Sequence, residues 1–264
     1  MEIKSSDDFV RMTRGALAAS GFTRKSVDDV VYFESVDRDD TPPLVLVHGV
    51  NDQAGTWFTV AAALARTRRV VIPDLAGHGE SAPSTGPLPF ALFLEKLDAV
   101  IVHERDITLV GNSLGGWLAA LYTLAHPDRV KHLVLETAGG LNRPFASPIF
   151  AHDRDEAAAI LRAVHGPRYV APEWVVDALL ARATDSPMLR ITDAERYALD
   201  DRLPNLHTPT TLIWGADDGV LPVAYAEDMR ALIDGATLQI LDGAAHIPHL
   251  QQPEKYLQCL TAIS

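Results

Sequence analysis

Ser113 lies in the run GNSLGG between Gly111 and Gly115, directly after the apolar residues 107–110. A serine at such a bend is poised to act as a nucleophile. A chain that leaves a strand and enters a helix at once crowds the residue at the turn, so its neighbours must be small, and the two glycines supply that room. The helix expected next, residues 114–125, starts beside the serine, and its unpaired amides and dipole favour negative charge there. Such a pattern arises by chance in roughly one chain of this length in ten, so its context has to give it meaning. A serine nucleophile also needs a base to take its proton and a carboxylate to orient that base. His246 and His249 follow the apolar run 238–241, and Asp217 and Asp218 follow the apolar run 210–214.

The elements that would position these groups are short β-branched runs alternating with longer helical patterns, the signature of parallel strands joined by crossover helices. An amphipathic, acidic opening over residues 5–19 leads to two alternating runs, 22–27 and 30–36, which predict an antiparallel edge hairpin. Core strands are expected at 44–47, 70–72, 107–110, 133–135, 210–214 and 238–241, all short and apolar. Helices are expected at 57–65, 90–103, 114–125, 223–233 and 253–262, several with proline or glycine at their ends. The rhythm breaks between Leu135 and Thr210, which implies an inserted helical cap with helices at 155–164, 172–183 and 193–199. The division is then residues 1–140 and 207–264 for the core and 141–206 for the cap. Ile160, Leu161, Trp174, Val175, Leu179, Leu180, Met188 and Leu189 would roof the strand ends, where open α/β sheets bind ligands.

Composition narrows the partners. The chain has 264 residues and 47% hydrophobic content, enough for one large α/β domain with an insertion. A formal net charge of −12 argues against nucleic acid and anionic membrane surfaces and suits a small, neutral, apolar substrate. Cys259, the only cysteine, excludes an internal disulfide and a cysteine-based zinc site, and reads as a packing residue of the last helix. The opening MEIKSSDDFV lacks the basic start of a signal peptide, and no apolar run approaches the ~18 residues of a membrane span. The expectation is a cytoplasmic monomer or homodimer.

These residues together resemble the α/β-hydrolase superfamily, over about residues 30–260. LVLVHG at residues 44–49, followed by Trp57, resembles the family's strand and oxyanion loop; DLAGHGES at 74–81 resembles its next strand exit; GNSLGG resembles its nucleophile turn. WGADDGVLP at 214–222 and AAHIPHLQQPE at 244–254 resemble its acid and histidine segments, in the family's order Ser, Asp, His. The resemblance implies a mostly parallel central sheet flanked by helices with the cap inserted after the sixth strand. It also assigns roles. The histidine spacing to Glu254 selects His246, leaving His249 as a loop or pocket residue, and the WGxxD pattern selects Asp218 over Asp217. Some relatives carry the acid after the sixth strand, which makes Glu136 a competitor. The oxyanion hole would be the backbone N–H groups of Val50 and Leu114, with Asn51 and Asp52 as loop hydrogen-bonders and Trp57 as core packing. His48 and His78 would shape their loops, and His103, His132, His152, His165 and His207 read as exposed.

The implied chemistry is hydrolysis of carboxylic esters by a lipase-like serine esterase, similar to monoacylglycerol lipases, with no metal or organic cofactor. A carbon-carbon bond hydrolase of the ring-fission type is the rival, suggested by the asparagine of GNSLGG. Val50 to Ala54 and Ile247 depart from that group's glycine-proline-glycine and tryptophan positions. A ligand-sensing relative with slow turnover is the reading from a different class.

Overall fold

A computed structural model describes residues 3–35 and 41–263. It opens with helix α1, Ser6–Ala19, where the Ser5 side chain accepts the Asp8 N–H and caps the first turn. Strands β1, Phe22–Val27, and β2, Val30–Ser35, pair antiparallel around Asp28 and Asp29, both with positive φ, as a two-residue hairpin turn requires. Val36, expected in the second strand, lies outside the described residues.

The remaining strands of the main sheet are β3, Leu44–Val47; β4, Val70–Pro73; β5, Ile107–Asn112; β6, Val130–Glu136; β7, Thr210–Gly215; and β8, Thr237–Leu241. Their order is β1-β2-β4-β3-β5-β6-β7-β8. β2 runs antiparallel to both neighbours, and every pairing from β4 through to β8 is parallel. Helices α2, Phe58–Leu64; α3, Phe90–Ile101; α4, Leu114–Ala125; α8, Val223–Ala231; and α10, Pro253–Thr261, cover the two faces, with the short α9, Pro248–Gln251, leading into α10. The two-residue period of the strands divides the core. Leu44 and Leu46 of β3 pack with Leu17, Val60 and Tyr256 of α1, α2 and α10, while Val45 and Val47 face Phe93, Leu118 and Met229 of α3, α4 and α8.

Two expectations change. Strand β8 is an edge rather than a core strand: it has a partner on one side only and leaves Ile240 45% exposed. The segment between β6 and β7 also differs in detail. It holds α5, Arg154–His165; α6, Glu173–Ala181; and the short α7, Pro187–Arg190, whereas the expected third helix is a 3-10 turn, Ala194–Tyr197. Sequence periodicity is blind to a four-residue helix and to the two-residue ladder that pairs Leu88–Pro89 with Ile191–Thr192. Ile160 and Leu161 pack with Val176, Val175 and Leu179 in a cluster of their own, and Trp174 lies 6.4 Å from Phe9 of α1. Those faces therefore seal the segment itself and its contact with α1. Among the described residues no helix is long and apolar enough to cross a membrane.

Candidate active site

Because β3, β5, β6, β7 and β8 run parallel, their carboxyl ends open onto one edge of the sheet, and the residues after them meet there. Ser113 sits between β5 and α4 with φ 54° and ψ −116°, a conformation far from those L-residues favour. The bend is possible because a Cβ on Gly111 would stand 2.2 Å from the Gly115 carbonyl oxygen, and one on Gly115 would stand 2.4 Å from that of Val47. The Ser113 N–H donates to the Glu136 carbonyl at 3.0 Å, and its own carbonyl accepts from Trp117 and Gly139 N–H, each at 3.1 Å. The backbone on both sides of the strained residue is thus held.

His246, on the loop after β8, brings Nε2 to 3.1 Å from Ser113 Oγ and Nδ1 to 2.9 Å from Asp218 Oδ2. An ionised carboxylate only accepts, so the proton belongs on Nδ1 and Nε2 is left to accept from the serine hydroxyl. The Asp218 side chain is fully buried, and its other oxygen accepts the Val220 and Leu221 N–H groups at 2.8 and 2.9 Å. Asp217 points away: it is exposed and lines a surface groove with Arg162, Ala163, Pro167 and Gly219. The structure therefore brings together Ser113, His246 and Asp218, and leaves Asp217 apart.

Glu136 and His249 form a second, separate pair. His249 Nδ1 lies 2.7 Å from Glu136 Oε1, which also accepts the His249 N–H, and Tyr256 donates its hydroxyl to Glu136 Oε2. His249 Nε2 is 3.2 Å from Thr56 Oγ1, and its ring stacks on Trp57 at 4.1 Å. All five side chains are buried, which places His249 in the core rather than in a pocket and gives Glu136 a partner other than His246.

Leu114 directly follows the serine, and Val50 follows Gly49, which lies against it. Leu114 is the first residue of α4, where an amide has no acceptor within the helix. Gly49, just before Val50, lies against the serine, since a Cβ there would meet Ser113 Cβ at 3.2 Å. His48 Nε2 accepts the Leu75 N–H at 3.0 Å, which leaves Nδ1–H to donate to the Gly49 carbonyl at 2.7 Å. In a planar trans peptide that carbonyl and the Val50 N–H point in opposite directions, so fixing one fixes the other. Asp52 bonds within the loop, its Oδ1 accepting the Gln53 N–H, whereas Asn51 Oδ1 accepts the distant Ser186 hydroxyl.

Several supporting contacts cannot be read from the sequence. Asn112 Nδ2 donates to the His246 carbonyl at 3.1 Å and to Thr137 Oγ1 at 2.9 Å, while Thr137 Oγ1 donates to the same carbonyl at 2.8 Å. The asparagine of GNSLGG thus anchors the histidine loop. The His246 N–H donates to the Val164 carbonyl at 3.0 Å, so the end of α5 also holds that loop. His165, expected at the surface, is half-buried and stacks on Tyr169 at 4.3 Å. Burial pulls its pKa down to about 4, with Asp52 opposing and His246 adding to the shift. Nothing in the sequence of α5 signals this, because only the fold turns its carboxyl end toward the loop that carries His246.

Comparison with known proteins agrees with this architecture. The model of the alpha/beta hydrolase family matches residues 44–258. Among curated relatives, an uncharacterized protein of Mycobacterium tuberculosis is 29% identical over 82% of this chain and 73% of its own length. Monoacylglycerol lipase abhd6-A of Xenopus laevis is 23% identical over 83% of this chain and 74% of its own. Among solved structures, a bacterial membrane phospholipase A described as a virulence factor superimposes with a TM-score of 0.82 at 26% identity, covering 97% of this chain and 90% of that one. A meta-cleavage product hydrolase of Pseudomonas fluorescens shares the fold at a TM-score of 0.76 and 19% identity, covering 92% of this chain and 97% of that one.

Proposed function

The chain belongs to the alpha/beta hydrolase family, and from that premise we propose that it is a serine esterase for carboxylic esters with small to medium apolar acyl groups. Ser113 is the nucleophile, His246 the base and Asp218 the group that orients the base. The observation that carries this reading is the unbroken chain of hydrogen bonds from Ser113 Oγ through both ring nitrogens of His246 to a fully buried carboxylate. In the proposed reaction Ser113 Oγ attacks the ester carbonyl as Nε2 takes its proton, and the carbonyl oxygen becomes an anion between the Val50 and Leu114 N–H groups. Collapse expels the alcohol, which receives the proton from His246. Water then attacks the acyl-enzyme by the same proton route and releases the acid.

The choice of esters rests on the chemistry of the serine site and on the two lipid-ester hydrolases among the similar proteins. The asparagine that suggested carbon-carbon cleavage has a structural task, holding the His246 carbonyl, and so gives that rival no support. Residues 141–206 form, in this reading, the cap over the site. The single cysteine, Cys259, is half-buried in α10 with its thiol pushed up by burial, in keeping with a reducing compartment such as the cytoplasm.

The test is turnover of p-nitrophenyl esters graded from short to long acyl chains, with Ser113→Ala alongside. Serine-dependent hydrolysis with a chain-length optimum is the expected result. A folded wild-type protein that turns over none of them overturns the ester assignment and moves the search to ring-fission products.

A further inference from the structure

Helix α7 is too short to be a binding element, yet it is tied at both ends. At its carboxyl end the Arg190 guanidinium donates to three backbone carbonyls, Pro83, Ser84 and Gly86, at 2.6, 3.1 and 2.7 Å. At its amino end Ser186, 2% exposed, caps the helix by accepting the Met188 N–H at 3.1 Å. The same hydroxyl donates to Asn51 Oδ1 at 2.6 Å. The hydroxyl thus spends its one proton on Asn51 while a lone pair receives the Met188 N–H.

Asn51 directly follows Val50 and holds φ 61°, the left-handed region that asparagine tolerates better than most residues. The loop from Gly49 to Gln53 is fixed from the core side by His48 on the Gly49 carbonyl and by Asp74 Oδ1 on the Ala54 N–H. From the cap side it is held by the Ser186 hydroxyl. Charge favours the same contact: Arg182, at the end of α6, is attracted by Asp52, the residue after Asn51.

We propose that the Ser186–Asn51 hydrogen bond is a latch through which the cap sets the direction of the Val50 N–H, making Ser186 and Asn51 positioning residues for the oxyanion. This rests on the esterase reading above. Peptide 49–50 is held by His48 on one side, and the latch holds the following residue on the other. Opening the latch lets the Val50 N–H wander from the place where negative charge develops. Ground-state binding of the acyl group does not use that direction. The loss therefore falls on kcat and leaves KM in place.

The experiment compares wild type with Ser113→Ala, Ser186→Ala, Ser186→Thr, Asn51→Gly and the double variant Ser186→Ala/Asn51→Gly, on the best p-nitrophenyl ester. Asn51→Gly keeps a left-handed backbone open and removes only the acceptor. Complete loss of one oxyanion donor costs on the order of a hundredfold or more, so misdirection of one is expected to lower kcat about tenfold in each single variant. KM and the pH profile stay as in wild type, Ser186→Thr restores most of the rate, and the double variant is no worse than the poorer single. Each variant is checked by circular dichroism, and Asn51→Gly tests the bond from its other side should Ser186→Ala fail to fold. Wild-type kcat in both single variants, a loss confined to KM, or losses that multiply in the double variant overturn the latch. In those outcomes Ser113-dependent turnover persists and the esterase reading stands. Absence of Ser113-dependent turnover in folded wild type is the different result that overturns both.

Discussion

Asp218 meets His246 through one carboxylate oxygen, at 2.9 Å, while its other oxygen is held by the Val220 and Leu221 amides. An acceptor so fixed determines both the tautomer and the tilt of the imidazole. Asp218→Asn presents an amide that satisfies neither side well, and kcat is expected to fall about a thousandfold or more. Asp217→Asn, at an exposed side chain, is expected to stay within about twofold of wild type. Steady-state kinetics of the two variants side by side make the check, and equal losses from both would undo the assignment.

His48 gives a second prediction. Its ring is fully buried and engages Leu75 and Gly49 at once. His48→Gln is expected to lower kcat by roughly tenfold or more with little change in KM, since it loosens the Gly49 carbonyl and with it the opposed Val50 N–H. A pH profile measured on the same variant is expected to keep its inflections, because Ser113, His246 and Asp218 are untouched. A shifted inflection would place His48 in the proton pathway instead.

The buried Glu136 and His249 should matter to stability and little to turnover. His249→Ala removes the ring's contacts with Glu136, with Thr56 and with the face of Trp57, and leaves a buried carboxylate with fewer donors. Breaking such a pair typically costs ~3–5 kcal/mol. Urea denaturation at neutral pH should register that loss, while ester turnover at low temperature remains well above that of Ser113→Ala. Full stability in His249→Ala would show that the pair contributes nothing to the fold.

Acid should weaken the protein from the point where an unfolded histidine begins to take up protons. His78 is pushed down to about 3, by burial first, then by the charges of His48, Arg190 and Arg182, and His165 down to about 4. Between an unfolded value near 6.5 and these folded values, the unfolded chain binds protons that the folded one does not. Stability is therefore full above about pH 6.5 and declines as pH falls toward 4 and 3. By pH 5 the contribution of His165 alone is on the order of 2 kcal/mol. Urea midpoints at pH 7.5 and pH 5, for wild type and His165→Gln, measure it: the variant should lose less on acidification, and an identical loss would refute the assignment.

What could be read from the residues and what could not divide along physical lines. Strands such as 44–47 and 107–110 announce themselves because both of their faces are apolar, and Ser113 because its neighbours Gly111 and Gly115 leave room for a chain to bend so sharply. The pairing of His246 with Asp218 and of His249 with Glu136 needs three-dimensional placement, since the two histidines stand three residues apart after the last strand and both carboxylates stand at or just beyond a strand end. Asn112 looked like a hint of substrate chemistry and proved to be a brace for a backbone carbonyl. Helix α7 and the Ser186 contact escaped notice because four residues carry no periodicity, and a hydrogen bond between residues 51 and 186 leaves no local trace.

Thr56, His249 and Glu136 set hydroxyl, imidazole and carboxylate in a row, just as Ser113, His246 and Asp218 do. A template search on three functional groups would therefore score this molecule twice. The difference lies in what surrounds the atoms: Thr56 is 1% exposed, and the His249 ring beside it is fully buried and stacked on Trp57. A fluorophosphonate probe thus has a control built into the same polypeptide, one site it should label and one of equal composition that it should ignore. For an engineer the lesson is that the row of side chains is the easy part of such a site, and the doorway is the scarce one.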